Sequence, residues 1–423
     1  MSTRHEDKYN WIEGVESLDK YTPGGYHPIM IGDLLHGRYR VVDKLGFGGY
    51  STVWLAQDTS SGSSYVAVKI GIADSSQAEI RTLRVLSSPP GCNLISIPLD
   101  EFELHGPNGT HPCYTTLPAR CNLREISFSR LFPLEVARAL VGGITTAIAY
   151  THSRGYIHGD AHLRNILVKL PSSFNQLSIE EFYEEYGEPE SIPVTRCNGE
   201  SLPSNVPAVA VLPLSLGKKA EEFTLSDAQI LLSDWGEAFP PALEERRGKD
   251  CHTPLSVRPP EARFEPEALL SFSADIWTLA TTVWEILGMK AIFSSEFMTA
   301  EELVAQQVDL LGLLPPAWWQ NWDAKDQFFH ENGQPKEGRY VWPRMDKAFE
   351  EGVQEYRQKR QMGEFSMEET TAILDLMRRM LTFQPDKRPT AEEVLNSEWM
   401  VRWVLPDHER SLQECQRASK QRW

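Results

Sequence analysis

Cysteine, long apolar runs and positive charge are all scarce in this sequence. The six cysteines, at positions 92, 113, 121, 197, 251 and 415, form no Cys-x-x-Cys pair, so free thiols in a reducing compartment are favoured over disulfides or a zinc site. No run of about 18 apolar residues occurs, so no membrane-spanning helix is expected. The N-terminal residues lack the apolar stretch of a secretory signal. We therefore expect a cytoplasmic or nuclear protein without a membrane partner.

The charge balance limits the partners further. The 423 residues contain 42 Lys and Arg against 59 Asp and Glu, a net charge of −17. This negative charge disfavours nucleic acid as a direct partner and permits a basic protein. With 41% hydrophobic residues, a chain of this length can bury a large core, and two lobes are expected in what we take to be a monomer.

The stretch from Tyr156 to Val168, Tyr-Ile-His-Gly-Asp-Ala-His-Leu-Arg-Asn-Ile-Leu-Val, places a polar loop between two apolar runs. Phosphoryl transfer requires a carboxylate that accepts the proton of the attacking hydroxyl and an amide oxygen on a phosphate-bridging metal. Asp160 fits the first role, and Asn165 fits the second. The alternative is a turn in which both side chains only cap backbone groups.

Two further motifs favour phosphoryl transfer over a simple turn. An Asp-Trp-Gly sequence at Asp234 follows a short apolar run, where a second metal ligand belongs. Upstream, residues 45–53 predict a glycine-rich hairpin, in which Gly46 and Gly48 let backbone amides approach phosphates. Ser51 stands where the third glycine of such loops often lies, so this segment alone also fits a plain hairpin.

A lysine within a β-branched run completes the pattern. Lys69 lies in Tyr-Val-Ala-Val-Lys-Ile, which predicts a strand. The helical segment 77–86 carries Glu79, the expected partner that would hold Lys69 on the phosphates. The alternative for Glu79 is an exposed carboxylate that pairs with Arg81 or Arg84. These motifs occur in the chain order of a protein kinase.

Residues 26–405 resemble a eukaryotic protein kinase, and within that group they look most like the SR-protein-specific kinases and their fungal relatives. The segments that carry the narrower resemblance are 24–33, 37–39, 51–54, 302–314 and 327–333. The resemblance implies an α+β, bilobal fold with a small antiparallel β lobe and a larger, mainly helical lobe. It also implies ATP and Mg²⁺ as cofactors.

The resemblance assigns roles to individual residues. The catalytic set is Lys69, Glu79, Asp160 as base, and His162. The expected magnesium ligands are Asn165 and Asp234. The expected ATP contacts are Leu45, Gly46, Phe47, Gly48, Gly49, Ser51, Val53, Ala67, Lys69, Leu117 and Ala119. The structural set is Arg258, Asp275 near the catalytic loop, and the Glu261 and Arg388 of a buried ion pair. For Asp275 the alternative is a helix-start carboxylate on the helix dipole.

Three departures from the family pattern stand out. Gly159 replaces the Arg that usually reads a phosphorylated activation loop, which fits a kinase that needs no activating phosphate. His162 replaces a Lys that usually contacts the γ-phosphate, and histidine is only partly charged near pH 7. Trp235 replaces the Phe after the metal-binding Asp.

The expected domain organisation follows the motifs. The predicted segments are an N-terminal tail (1–25), a first lobe (26–117), a second lobe (118–405) that opens with a hinge at 118–122, and a C-terminal tail (406–423). Within the second lobe, residues 170–226 lack strong periodicity and predict a surface insert of the spacer type. We refer to them below as the insert.

The predicted function is an ATP-dependent serine/threonine kinase that phosphorylates Ser in Arg/Ser-rich proteins, a class linked to mRNA splicing regulation. The resemblance places substrate docking on Glu302 and Asp309, about two turns apart on one face of a helix; the alternative is a solvated acidic face. A small-molecule phosphotransferase of the aminoglycoside or choline kinase type shares the loop pattern at 158–165. A weakly active pseudokinase scaffold is the non-enzyme alternative.

Overall fold

The computed structural model describes residues 8–60, 64–87, 92–127, 131–288, 290–294 and 298–420. Within them the chain forms two compact units. The first contains the described parts of Met1–Ser87, Ser96–Cys121 and Lys169–Leu216, and the second those of Ser88–Ile95, Asn122–Val168 and Gly217–Trp423. The chain passes between the units at several points, one of which, from Cys121 to Asn122, lies within the segment predicted as a hinge. The first seven and last three residues of the predicted tails lie outside the described residues.

The first unit is built on an antiparallel sheet. The strands of the described chain are β1 (Leu34–Leu35), β2 (Tyr39–Phe47), β3 (Ser51–Asp58), β4 (Tyr65–Gly71), β5 (Asp100–Gly106), β6 (Gly109–Thr116), β7 (Ala119–Asn122), β8 (Ile166–Lys169), β9 (Ser191–Pro193), β10 (Val209–Val211) and β11 (Ile230–Leu232). The sheet has the order β1-β2-β3-β4-β6-β5. Its β-branched and aromatic residues, such as Val41, Trp54 and Val68, are buried in one cluster, as their preference for pleated surfaces predicts.

The second unit is mainly helical. The helices of the described chain are α1 (Ala78–Leu86), α2 (Leu123–Ser127), α3 (Leu134–Ser153), α4 (Ile179–Tyr186), α5 (Glu261–Phe264), α6 (Phe272–Leu287), α7 (Ala300–Leu311), α8 (Pro316–Gln320), α9 (Lys325–Phe328), α10 (Met345–Phe349), α11 (Glu355–Arg360), α12 (Met367–Met380), α13 (Ala391–Leu395) and α14 (Leu405–Lys420). Helices α3 and α6 are buried along most of their length, because they carry few charges. Gly142 of α3 lets α14 approach closely, since a Cβ there would lie 2.7 Å from the Cβ of His408.

The insert belongs in part to the first unit, which differs from its predicted place in the second lobe. Residues 169–216 pack with the sheet, and Phe174 and Phe182 of this stretch share a buried cluster with Tyr65 of β4. The acidic stretch at 180–186 lies in α4, and Ser178 and Glu181 form the capping box of this helix. Aromatic side chains spaced along the insert thus supply buried surface, which the weak periodicity of this segment did not predict.

Local features outside the insert follow from short segments of the sequence. Residues 134–153 form α3, and Thr390 caps α13 by accepting from Glu393 N at 3.2 Å. Residues 26–33 form no strand, because their backbone turns at Gly32, whose N–H donates to Val41 O at 2.9 Å. The α+β class is confirmed. No helix among the described residues is long and apolar enough to cross a membrane.

Candidate active site

The glycine-rich segment forms the turn between β2 and β3 in the first unit. Gly48 N donates to Ser51 O at 2.8 Å and closes the hairpin. A Cβ added at Gly46, Gly48 or Gly49 would meet no atom of the described chain within 4 Å. Packing within the chain therefore does not require these glycines, and the space beside them is open. This bare backbone fits the close approach of phosphate groups.

The ion pair predicted between Lys69 and Glu79 is present. Lys69 lies on β4, and its Nζ is 2.6 Å from Glu79 Oε1 on α1. Tyr114, which is paired with Lys69 in the sheet, donates its hydroxyl to the same carboxylate oxygen at 3.0 Å. Both charged side chains remain partly exposed. The pair therefore holds a lysine at the sheet surface, where its ammonium group can meet phosphate oxygens.

The other predicted ATP contacts lie on the same sheet or directly after it. Val53 is paired with Lys69 across β3 and β4, and Ala67 is buried on β4. Phe47, at the end of β2, is 41% exposed. Leu117 follows β6 and is 54% exposed, and Ala119 begins β7. Phe47, Val53 and Ala67 thus lie on the six-stranded sheet, whereas Ala119 lies on the sheet β11-β8-β7. The contact of these residues with ATP stays a prediction.

Asp160 and Asn165 meet in the catalytic loop of the second unit. The side-chain nitrogen of Asn165 donates to Asp160 O at 2.9 Å and to Asp160 Oδ2 at 3.0 Å. This orientation leaves the amide oxygen of Asn165 as the atom suited to a cation. Asp160 Oδ1 accepts no hydrogen bond from the described residues, and His162 Nε2 lies 3.3 Å from it. A buried carboxylate oxygen of this kind can accept the proton of an attacking hydroxyl.

Strand pairing joins the residue before Asp234 to Asn165. β8 follows Asn165, β11 precedes Asp234, and the two strands are antiparallel neighbours. Ser233 donates its N–H and its hydroxyl to Asn165 O at 2.9 and 3.0 Å. Asp234 itself has a positive φ of 61°, an uncommon backbone conformation that occurs often at functional sites.

The donor set of Asp234 and Asn165 fits magnesium better than a protein-enclosed metal. Among the described residues, no three His, Cys, Asp or Glu side chains are placed to hold a metal. Mg²⁺ takes oxygen ligands and is commonly held by one or two protein groups together with substrate phosphates. One carboxylate and one amide oxygen therefore suffice only when a nucleotide supplies the rest.

Asp275 ties down the backbone of the catalytic loop, as predicted. It accepts from His158 N at 2.8 Å and from Gly159 N at 2.9 Å. His152 Nε2 lies 2.9 Å from the same carboxylate. Burial opposes the charge of Asp275, but the hydrogen bond from His152 and the nearby histidines keep the pKa of its carboxyl below the ordinary value. The alternative role as a helix-dipole carboxylate does not explain these contacts.

Trp235 and His158 form an aromatic contact beneath the loop. Their ring centroids are 4.6 Å apart with an edge-to-face angle of 64°, a favourable geometry for aromatic pairs. His158 is fully buried, and burial lowers the pKa of its imidazole. Trp235 therefore occupies the position of the usual Phe without breaking the packing against the loop histidine.

The polar residues 237–257, which we call the activation segment, pack directly against Gly159. A Cβ at this glycine would lie 2.8 Å from Glu237 O, and its φ of +78° also disfavours any other residue. Thr253 donates its hydroxyl to Gly159 O at 2.6 Å. Arg246 donates to the backbone and the carboxylate of Glu237 at 2.9 and 3.2 Å and stacks over Phe239. The segment is thus held by bonds within the chain at the point where a phosphate-reading arginine would stand.

The structural residues predicted for the second unit are placed as expected. Arg388 donates two bonds of 2.7 Å to the carboxylate oxygens of Glu261, and its side chain is fully buried. Arg258 Nε donates to Thr253 O at 2.7 Å, which links the end of the activation segment to its middle. A bidentate arginine–carboxylate pair is geometrically specific, and here it joins segments far apart in the sequence.

The two predicted docking carboxylates have partners within the chain. Glu302 is the third residue of α7 and caps it by accepting from Thr299 N at 2.7 Å. Asp309 is buried, and Arg339 holds it with two bonds of 2.7 Å. Docking at Asp309 would therefore require a substrate arginine to replace Arg339. The sequence did not predict this internal pair, because the two residues are remote from each other along the chain.

Several residues that position the site were not found from sequence. Tyr114 on Glu79, His152 on Asp275 and Ser233 on Asn165 belong to no motif, and only register and packing bring them into contact. Tyr26 lies in a segment that the family resemblance had marked, yet its contact with the glycine-rich loop had no local signal. Its hydroxyl donates to Gly48 O at 2.6 Å.

Comparison with known proteins agrees with the site. No family model matches the chain. A serine/threonine protein kinase of Aspergillus fumigatus is 25% identical over 399 residues, covering 91% of this chain and 90% of that protein. Serine/threonine-protein kinase SRPK of Physarum polycephalum is 25% identical over 413 residues, with 91% of each chain covered. Human SRSF protein kinase 3 is 31% identical over 170 residues, which are 37% of this chain and 30% of that protein.

The relatives that cover most of this chain are serine/threonine protein kinases, which supports a protein kinase transferase. Within this class its homologues are SRPK-type kinases, as the sequence resemblance predicted.

Proposed function

We propose that this protein transfers the γ-phosphoryl group of ATP to serine hydroxyls of Arg/Ser-rich proteins. The observation that supports this most is the hydrogen-bonded assembly of Asp160 with Asn165, and of Asn165 with the residue before Asp234. A base and two cation ligands held in one framework are what phosphoryl transfer requires. The kinase relatives support the same activity.

Each residue has a defined task in the proposed reaction. Asp160 accepts the proton of the serine hydroxyl through its Oδ1. Lys69, held by Glu79, binds phosphate oxygens and orients the nucleotide. Asn165 and Asp234 would hold Mg²⁺, which neutralises charge on the phosphates when bound. His162, 3.3 Å from Asp160 Oδ1, can donate a proton or hydrogen bond to the transferred group.

The proposed substrate is a basic protein. The name of human SRSF protein kinase 3 gives SRSF proteins as the substrates of that relative. For this chain, the net charge of −17 favours the approach of an Arg-rich segment by long-range attraction. We place docking of that segment on α7, with Glu302 as the accessible carboxylate and Asp309 as one that must first exchange Arg339.

A transfer assay tests the proposed function. Purified protein is incubated with labelled ATP, Mg²⁺ and an Arg/Ser-repeat peptide, a matched peptide with every Ser changed to Ala, or an aminoglycoside. Label should be incorporated only into the peptide that contains Ser, and EDTA should abolish this incorporation. An Asp234→Asn variant, which keeps the size of the side chain, should lose transfer because it removes the negative charge that would hold the cation.

The same assay addresses the other candidate functions. Label in the aminoglycoside would identify a small-molecule phosphotransferase. No label in any acceptor, with ATP still bound, would identify a scaffold. The kinase relatives do not favour either alternative, and the buried Glu261–Arg388 pair matches the protein-kinase pattern that the small-molecule enzymes lack.

A further inference from the structure

The N-terminal segment, residues 8–26, packs against the insert, although the sequence predicts most of it as a tail. Asn10 N donates to Thr195 O at 2.9 Å, and Cys197 N donates to Lys8 O at 3.0 Å. Side chains add an apolar layer between the two segments. The members of this buried cluster are Tyr9, Leu18, Tyr21, Tyr26, Val194, Val206 and Ala210. Two chain segments without strong periodicity thus form one folded layer.

This layer reaches the tip of the glycine-rich loop. The hydroxyl of Tyr26 donates to Gly48 O at 2.6 Å, and Lys20 Nζ donates to Gly49 O at 3.0 Å. Burial raises the pKa of Tyr26 to about 12, so its hydroxyl stays a donor across the physiological range. Two successive carbonyl groups of the loop are therefore held by side chains of the N-terminal segment.

Holding these carbonyls also orients the amides of the loop. The peptide unit is planar and trans, so its C=O and N–H point in opposite directions. The bond from Tyr26 to Gly48 O therefore aims the N–H of Gly49 away from Tyr26. The bond from Lys20 to Gly49 O likewise aims the N–H of Tyr50 away from Lys20. Backbone N–H groups of such loops are the donors that cradle phosphates. Glycine residues alone would leave these peptide planes free to rotate.

A buried ion pair anchors the segment to the strand that leads into the loop. Lys44 of β2 is paired with Glu16, and both side chains are almost completely buried. The hydroxyl of Tyr21 donates to the same carboxylate. Removing one member would leave an uncompensated buried charge. The position of Tyr26 and Lys20 relative to β2 is therefore set by more than the two bonds to the loop.

We infer that the N-terminal segment is a working part of the nucleotide site, with Tyr26 and Lys20 as positioning residues that aim the loop amides at the phosphates of ATP. The inference rests on the proposed kinase function for the identity of the ligand. It assigns to these residues a role in phosphate binding that they exert through the backbone of the loop. It also gives a role to the packing of the insert in the first unit, since the insert holds the N-terminal segment through backbone hydrogen bonds and a shared apolar cluster.

Nucleotide titrations test this role. Binding of Mg-ATP and of adenosine is measured by calorimetry for Tyr26→Phe, Lys20→Met and the double variant. Tyr183→Phe is the matched control, because its hydroxyl donates to Val42 O at 2.9 Å on the same strand but away from the loop. Each loop bond should be worth about 2- to 10-fold in ATP affinity. Adenosine, which has no phosphate, should bind all variants equally well.

Steady-state kinetics provides a second readout. The double variant should raise KM for ATP by a similar factor and leave kcat nearly unchanged, while Tyr183→Phe changes neither. Unchanged ATP affinity in the double variant would overturn the inference, as would equal weakening of ATP and adenosine. Because Lys20 is exposed, Lys20→Met keeps the test valid if Tyr26→Phe folds poorly. A wild-type protein that binds ATP but phosphorylates no peptide would instead refute the proposed function alone.

Discussion

Replacing Asp309 with alanine distinguishes a carboxylate that holds the fold from one that holds a substrate. In the structure Asp309 is buried at 6% exposure. It accepts two bonds of 2.7 Å from Arg339 and a third of 3.1 Å from Trp342 N. Arg339 also stacks over Phe329 at 4.6 Å. Removing the carboxylate leaves the guanidinium without its partner in a largely enclosed site.

The structure sets the expected magnitude of the loss. Breaking a buried ion pair by deleting one member costs about 3–5 kcal/mol. Arg339 is 16% exposed in its side chain, so water can recover part of its solvation, and we expect the lower end, about 3 kcal/mol. Glu302→Ala should cost much less, because Glu302 caps α7 at the surface and its loss exposes only polar backbone to water.

Urea denaturation followed by tryptophan fluorescence measures these losses. A double-mutant cycle of Asp309→Ala with Arg339→Ala isolates the pair, and we expect a coupling energy above about 1 kcal/mol. The structural role would be refuted if Asp309→Ala stayed within about 1 kcal/mol of wild type and yet lost affinity for a long Arg/Ser protein. If a substrate arginine docks at Asp309, the Arg339→Ala variant should bind the Arg/Ser protein more tightly than wild type does, because the competing guanidinium is gone. Unchanged affinity in Arg339→Ala would reject docking at this carboxylate.

Three further predictions concern catalysis and its control. Asp160→Asn should lower kcat by about 10²- to 10⁴-fold with ATP affinity nearly intact; a loss below about tenfold in a transfer assay would contradict its role as base. Protein from bacteria, shown by mass spectrometry to lack phosphate, should be active because bonds from Arg246 and Thr253 already hold the activation segment; absence of transfer activity in this phosphate-free protein would contradict this. His162→Ala should lower the transfer rate, because it removes the ring nitrogen that lies 3.3 Å from Asp160 Oδ1, and His162→Lys should retain more of that rate. Equal rates in wild type and His162→Ala would leave His162 a packing residue only.

The sequence alone predicted the chemistry of the site. The spacing of Asp160 and Asn165, the Asp that follows the apolar run at 230–233, and the Lys within a β-branched strand are local patterns. Each pattern restricts residue type and secondary structure together, so each could be read without knowing the fold. The Lys69–Glu79 and Glu261–Arg388 contacts followed from the family resemblance, and the structure contains both.

Only the tertiary structure decided which side chains support that chemistry and which are already occupied. Tyr26 and Lys20 reach the glycine-rich loop because the N-terminal segment packs on the insert, and nothing in either segment's periodicity indicates this. Asp309 looked like an exposed helix carboxylate until packing placed Arg339 on it. In both cases the partners are distant in sequence. Hydrogen bonds and ion pairs require atoms within about 3 Å, and only the folded chain brings such distant residues to that separation.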